Sequence, residues 1–208
     1  MASSKEIVLP PPKRIGKMSL EEAISKRSSV RDYRDESISL EHLSQLLWAA
    51  QGITHGGIFR AAPSAGATYP LELFVVAGKV EGLKAAIYRY DAKSHSLHLH
   101  MEGDQRQKLT DTSSFHQDFI AQVPVDIVIC AIYERTSNFY GERGVRYVHM
   151  DTGHAAENIA LQAVALGLDT VMVGAFDDEG MSRVMRLPGE LKPLYIIPVG
   201  KQRQFSAV

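Results

Sequence analysis

The densest cluster of chemistry-bearing side chains is Lys26-Arg27-Ser28-Ser29-Val30-Arg31, with three cations and two hydroxyls in six residues. A guanidinium is a planar fork that matches phosphate oxygens, and a hydroxyl adds a donor without charge. The pattern points to a phosphate site. It also suits a solvated basic face with Arg31 paired to Asp32 or Asp35. A second candidate, Pro63-Ser64-Ala65-Gly66-Ala67-Thr68-Tyr69-Pro70, leads straight into an apolar run. Small residues there let a flat ligand approach the backbone, with Ser64 and main-chain N–H groups as donors. The alternative is a plain turn into a strand. A third, Val171-Met172-Val173-Gly174-Ala175-Phe176-Asp177, ends a strand in Gly174-Ala175 before a helix, where free N–H groups suit a ring or a phosphate. The fourth, Gly200-Lys201-Gln202-Arg203, follows the last strand and taken alone reads as an exposed cationic tail.

Other arrangements carry less. His98 and His100 share a strand face near His95, but no Cys or carboxylate flanks them at ligand spacing, so no metal site is expected. His149 and His154 are five apart, off one helical face. Tyr69, Tyr133, Tyr140 and Tyr147 are candidate acids or bases, though a packed tyrosine with a satisfied hydroxyl is the commoner case. No catalytic residue is assigned. The chain has no GxGxxG, GxSxG or Walker loop, which argues against Rossmann, hydrolase and kinase chemistry.

The positioning elements follow from pattern. Residues 1–18 form an extended arm, since Pro10-Pro11-Pro12 excludes helix. Ser19 and Glu22 make a capping box that opens a helix ending near Arg27. Ser39 opens a second, with Leu40, Leu43, Leu46, Leu47 and Ala50 at helical spacing and Gly52 as its C′ residue. Residues 53–70 read as a long ordered loop or a site loop. Strands are expected at Leu71–Ala77, at Ala86–Tyr90 and Leu97–Met101 as a hairpin, and at Val125–Tyr133. One or two short helices fall in 104–122. A polar, mobile loop is expected over 134–146, in the role of a lid. A long helix runs from Val148 to Leu166, then a strand Thr170–Ala175, a short helix Asp178–Arg186 and a strand Leu194–Val199. Without a regular βαβ beat, the class is α+β, with 19–208 as a single domain.

A net charge of −1 leaves no field to hold nucleic acid, so any anion site must be local. No run of 18 apolar residues is present, and the N-terminus lacks a signal-type apolar stretch, so a cytoplasmic protein without membrane contact is expected. The single cysteine, Cys130, lies in an apolar run and reads as a core residue.

Taken in order, the four signals resemble the nitroreductase family. Lys26-Arg27-Ser28-Ser29-Val30-Arg31-Asp32-Tyr33 is similar to that family's Arg-Arg-Ser-type phosphate motif, with Ser28 where a second Arg is common. Ala65-Gly66-Ala67-Thr68-Tyr69-Pro70-Leu71-Glu72 resembles the SagB-type azoline dehydrogenase branch more than ordinary nitroreductases. Asn158 in the long helix, the Leu166-Gly167-Leu168 turn and Pro198-Val199-Gly200-Lys201 complete the likeness. The resemblance implies a central, mainly antiparallel sheet flanked by helices, in an intertwined homodimer with FMN at the interface. It implies cofactor contacts from Arg27, Ser28, Ser29 and Arg31, from Pro63, Ser64, Ala65, Gly66 and Ala67, from Met172, Gly174 and Ala175, and from Lys201 and Arg203. The implied activity is FMN-dependent hydride transfer to a small organic substrate, with NAD(P)H as transient co-substrate and nitro, quinone or enone acceptors. The alternatives are an azoline-type dehydrogenase and a non-catalytic FMN carrier or redox sensor.

Overall fold

The computed structural model describes residues 6–115 and 117–203. It shows strand β1 (Glu6–Val8), helices α1 (Leu20–Lys26) and α2 (Leu40–Gln51), and strands β2 (Leu71–Ala77), β3 (Ala86–Asp91) and β4 (Ser96–Glu102). Then come α3 (Arg106–Thr112), α4 (Phe119–Gln122), β5 (Val125–Ile132), α5 (Glu134–Tyr140), α6 (Arg143–Ala165), β6 (Asp169–Thr170), α7 (Asp178–Val184) and β7 (Leu191–Gly200). The strands form one sheet in the order β1-β4-β3-β2-β5-β7-β6, with every neighbouring pair antiparallel. The expected α+β sheet flanked by helices is therefore what the chain adopts.

Strands β2 and β5 are apolar throughout because both faces of the sheet are covered. Leu71, Leu73, Val75, Ile127 and Ile129 pack with Leu43, Leu46 and Leu47 of α2 and Val148, Ala155 and Ile159 of α6. Phe74, Val76, Val128 and the fully buried Cys130 face the other way, toward Leu109, Ile120, Met181 and Met185. Successive side chains alternate faces, so a continuous apolar run serves two cores. Both expected caps form: Ser19 Oγ accepts from Glu22 N at 3.1 Å, and Ser39 Oγ from His42 N at 3.2 Å.

Four expectations need correction. Segment 134–146 is not a mobile loop: it holds α5 and the first turn of α6. Thr136, fully buried, and Arg135 tie α5 to the preceding loop, and glycine at position 144 lets α6 close on α5, since a Cβ there would lie 2.6 Å from Ser137 Cα. The expected strand Thr170–Ala175 pairs as a ladder only at Asp169–Thr170, followed by a single bridge from Val173 to Ile196. Beyond it the chain turns to α3, where Ala175 O accepts from Ser114 N at 2.8 Å. The last strand starts three residues early, at Leu191, and admits Pro193 opposite Cys130 beside a register shift in β5. Gly52 is extended (φ −64°), not left-handed; glycine is needed because a Cβ would collide with the Trp48 ring.

Candidate active site

The cationic residues converge from two distant parts of the chain. Arg27 closes α1, with Nε 3.7 Å from Glu157 Oε1 on α6. Ser29 then bridges Thr170, and Val30 N donates to Thr170 O at 3.1 Å. Tyr33 OH donates to Val30 O at 2.6 Å, which draws this stretch into a bend that leaves Arg31 exposed. Burial pushes the Tyr33 phenol pKa up. Arg34 N donates to Lys201 O at 2.8 Å and Arg203 N to Asp32 O at 3.0 Å, so the end of β7 lies along the same segment. Lys201 Nζ is 2.9 Å from Glu36, and this hydrogen bond holds Glu36 below the usual carboxylate range. Arg203 Nε is 3.4 Å from Asp32. Arg31 joins neither Asp32 nor Asp35 in an ion pair among the described residues; Asp35 pairs with Lys79. Exposed pairs of this kind are weak and screened by water, so an arriving phosphate dianion can displace them.

The loop before β2 is built differently. Gly66 (φ 58°), Ala67 (φ 52°) and Tyr69 (φ 46°) are all left-handed, and two of the three carry a Cβ. Such residues cost about 1–3 kcal/mol each and persist only where surroundings over-determine them. The restraints are visible. Ala67 N donates to Ser64 O at 3.0 Å, and Ser64 Oγ accepts from Tyr69 N at 3.0 Å. Thr68 Oγ1 meets Thr136 Oγ1 at 2.8 Å, and Arg135 Nη1 donates to Tyr69 O at 3.0 Å. From α6, the buried Asp151 carboxyl faces the Ser64 hydroxyl and the Ala65 N–H. Burial raises its pKa against those two donors, and its Oδ2 has no partner among the described residues.

The backbone at Gly66 is roofed by a phenol. A Cβ on Gly66 would sit 2.7 Å from the Tyr140 hydroxyl. Tyr140 packs edge-on against Phe139 (4.8 Å) and Tyr147 (5.1 Å), and Arg143 Nε donates to the Tyr147 hydroxyl at 3.0 Å. Pro63, Gly66 and Ala67 are exposed. A flat ring can approach this backbone, and Tyr140 stands where it could exchange a proton with whatever lies there.

The structure does not bring these two groups together within one chain. Leu71, at the loop end of β2, pairs with Ala131; Ala77, at its far end, pairs with Val125, and Val125 pairs with Val199 just before Lys201. Six steps along a strand separate the two ends, about 20 Å. Arg27, Ser28, Ser29, Arg31, Lys201 and Arg203 form one cluster, and Met172, Gly174 and Ala175 lie on the segment leaving Thr170 beside it. Pro63–Ala67 stands at the opposite end of the sheet.

Other candidates have structural partners. His95 contacts Tyr90, Ser44 and Pro10, and His100 Nε2 lies 2.7 Å from Met185 O. The Tyr133 hydroxyl meets His149 Nε2 at 2.6 Å. Sequence reasoning passed over Asp151, Arg135 and Thr136. For Asp151 a signal exists: it lies four and eight residues before Ala155 and Ile159, a carboxylate on the apolar stripe of a helix. No helix among the described residues is long and apolar enough to cross a membrane.

Comparison with known proteins agrees with this architecture. The sequence profile of the Nitroreductase family matches residues 24–201. A nitroreductase-type protein of Methanocaldococcus jannaschii is 41% identical over 97% of this chain and 99% of its own length. The microcin B17-processing protein McbC of Escherichia coli is 26% identical over 64% of this chain, which spans half of McbC. A solved nitroreductase-type structure from Ralstonia eutropha superposes with a TM-score of 0.83 at 28% identity, covering 99% of this chain and 93% of that one. With the sheet order, the ordered motifs and a near full-length relative in agreement, the chain belongs to the nitroreductase family.

Proposed function

We propose that the chain is an FMN-dependent oxidoreductase that moves hydride between bound flavin and a small organic substrate, with NAD(P)H as reductant and nitro, quinone or enone compounds as acceptors. One observation carries the reading: four cations and two hydroxyls from distant segments converge at one end of the sheet, while a strained loop under Tyr140 bares its backbone at the other. The donor set fits a phosphate, and the exposed backbone at Pro63, Gly66 and Ala67 fits a flat ring. Because about 20 Å of strand separates the two ends, each site takes the cluster of one chain and the loop of a second, in a homodimer.

When bound, the flavin supplies the two-electron chemistry. The residues of the chain supply the rest. Arg27, Arg31, Lys201 and Arg203 neutralise the phosphate, with Ser28 and Ser29 donating. Met172, Gly174 and Ala175 line the ring, and Pro63, Ser64, Ala65, Gly66 and Ala67 of the second chain approach it with backbone donors. Asp151 holds Ser64 and Ala65 in place. The Tyr140 hydroxyl, which stands over Gly66, is the proposed proton donor or acceptor for a molecule bound there.

A second reading, substrate dehydrogenation of the azoline type, is favoured by the similarity to McbC and to the trifolitoxin-processing protein TfxB of Rhizobium leguminosarum, 31% identical over 53% of this chain. The test is the visible spectrum of the purified protein, repeated anaerobically with NADH or NADPH. A yellow protein that bleaches is the expected result. A yellow protein that does not bleach transfers the weight to the dehydrogenase or to a non-catalytic flavin carrier. A colourless protein that also ignores added FMN refutes the flavin reading.

A further inference from the structure

A cavity of about 580 Å³ opens immediately beyond the strained loop, with Thr68 and Tyr69 in its wall. Its charges are unbalanced: Arg60, Arg89, Lys93 and Arg135 line it against only Glu72 and Asp91. Glu72 is already taken, with Arg89 Nη2 at 3.0 Å and Arg135 Nη2 at 2.7 Å from its carboxylate. Asp91 is engaged by its own turn, accepting from Lys93 N at 2.7 Å. Arg60 joins no ion pair among the described residues. Its guanidinium lies 4.7 Å over the Tyr69 ring and donates through Nη1 to Gln51 Oε1 at 2.8 Å. Burial pulls its pKa down, with Arg135 adding repulsion and Glu72 opposing both.

A half-buried cation with no ion-pair partner among the described residues is costly unless something compensates it. Stacking on Tyr69 and one neutral hydrogen bond compensate only in part, and most of the donor fork of Arg60 is unused by the described residues. We infer that this cavity is an anion-binding site, with Arg60 as its recognition residue, for a small organic molecule bearing a carboxylate or phosphate. The Tyr69 stack fixes the plane of the guanidinium, and the Glu72 pairs hold Arg89 and Arg135 at its side. Because the cavity adjoins Ala67, an anion held there places the rest of its molecule toward the loop. That substrate role rests on the flavin reading above; the anion site itself does not.

The test is calorimetric titration of the purified protein, as isolated, with para-nitrobenzoate, with the neutral para-nitrobenzyl alcohol and with inorganic phosphate. Either anion is expected to bind at least tenfold more tightly than the alcohol. Arg60→Gln, which can still hydrogen-bond Gln51, should abolish that preference. Arg60→Lys, which keeps the charge, should retain part of it, and Arg183→Gln on α7 should leave it unchanged. Tight benzoate would identify a carboxylate ligand and tight phosphate a phosphorylated one. Equal affinity for anion and alcohol overturns the proposal, and so does a preference that survives Arg60→Gln or that disappears in Arg27→Ala instead. Heat of binding is read whether or not the protein is yellow, so this test and the flavin test fail separately.

Discussion

Gly66, Tyr140 and Arg27 each make a prediction. Gly66 needs both its left-handed backbone and the absent Cβ, because the Tyr140 hydroxyl occupies that space. Gly66→Ala should therefore lower stability by about 1–2 kcal/mol, the cost of a left-handed L-residue, and should also displace Tyr140 and weaken flavin retention. Urea unfolding with an unchanged m-value measures the first part; full stability with normal flavin content would contradict the assigned geometry. Tyr140→Phe removes only the hydroxyl. Fold and flavin content should survive, while turnover falls by about 100-fold or more, the range for a lost acid or base. Undiminished turnover removes Tyr140 from proton transfer. At the other end, Arg27→Ala should weaken FMN binding by about 1.5–3 kcal/mol, the scale of a charged hydrogen bond, and fluorescence titration would show it.

Among elements, those with local signals were legible and those held by tertiary contacts were not. Helices α1 and α2 announce themselves through Ser19 and Ser39, which cap them as the capping pattern requires. Helix α5 has no such device: its N-cap residue Tyr133 makes no side-chain cap, and its sequence is polar. What fixes it is Thr136 against Thr68 and Arg135 against Glu72 and Tyr69, none of which sequence spacing encodes. The hairpin between β3 and β4 shows another such contact. His95 Nε2 lies 3.1 Å from Pro10 O and 2.8 Å from Ser44 Oγ, and Nδ1 lies 2.8 Å from the Tyr90 hydroxyl, so the ring ties the hairpin to the N-terminal arm and α2. Burial lowers the His95 pKa below its ordinary 6.5, so the folded state favours neutral imidazole. The stability this gives is complete above the ordinary value and is lost as pH falls through the lowered folded value. Thermal stability should accordingly drop on acidification below about pH 6, and the drop should be smaller in His95→Gln. An identical pH profile in the variant would show that another group controls it.

For the whole molecule, the four motifs and their order were readable, but their mutual distance was not. Motif order along the chain gives no hint that Lys201 leaves the sheet at the end opposite to Ser64; only the antiparallel register of β2, β5 and β7 shows it. The cluster of Arg60 with Tyr69 and the burial of Asp151 are likewise products of the assembled sheet and helices. The proposed site, built from both ends, needs two chains and so makes an oligomer part of the proposed chemistry. The most direct measurement is light scattering with simultaneous visible absorbance on a dilution series. Flavin absorbance should travel with a dimer and be released as the protein dissociates. A stable yellow monomer would contradict the shared site.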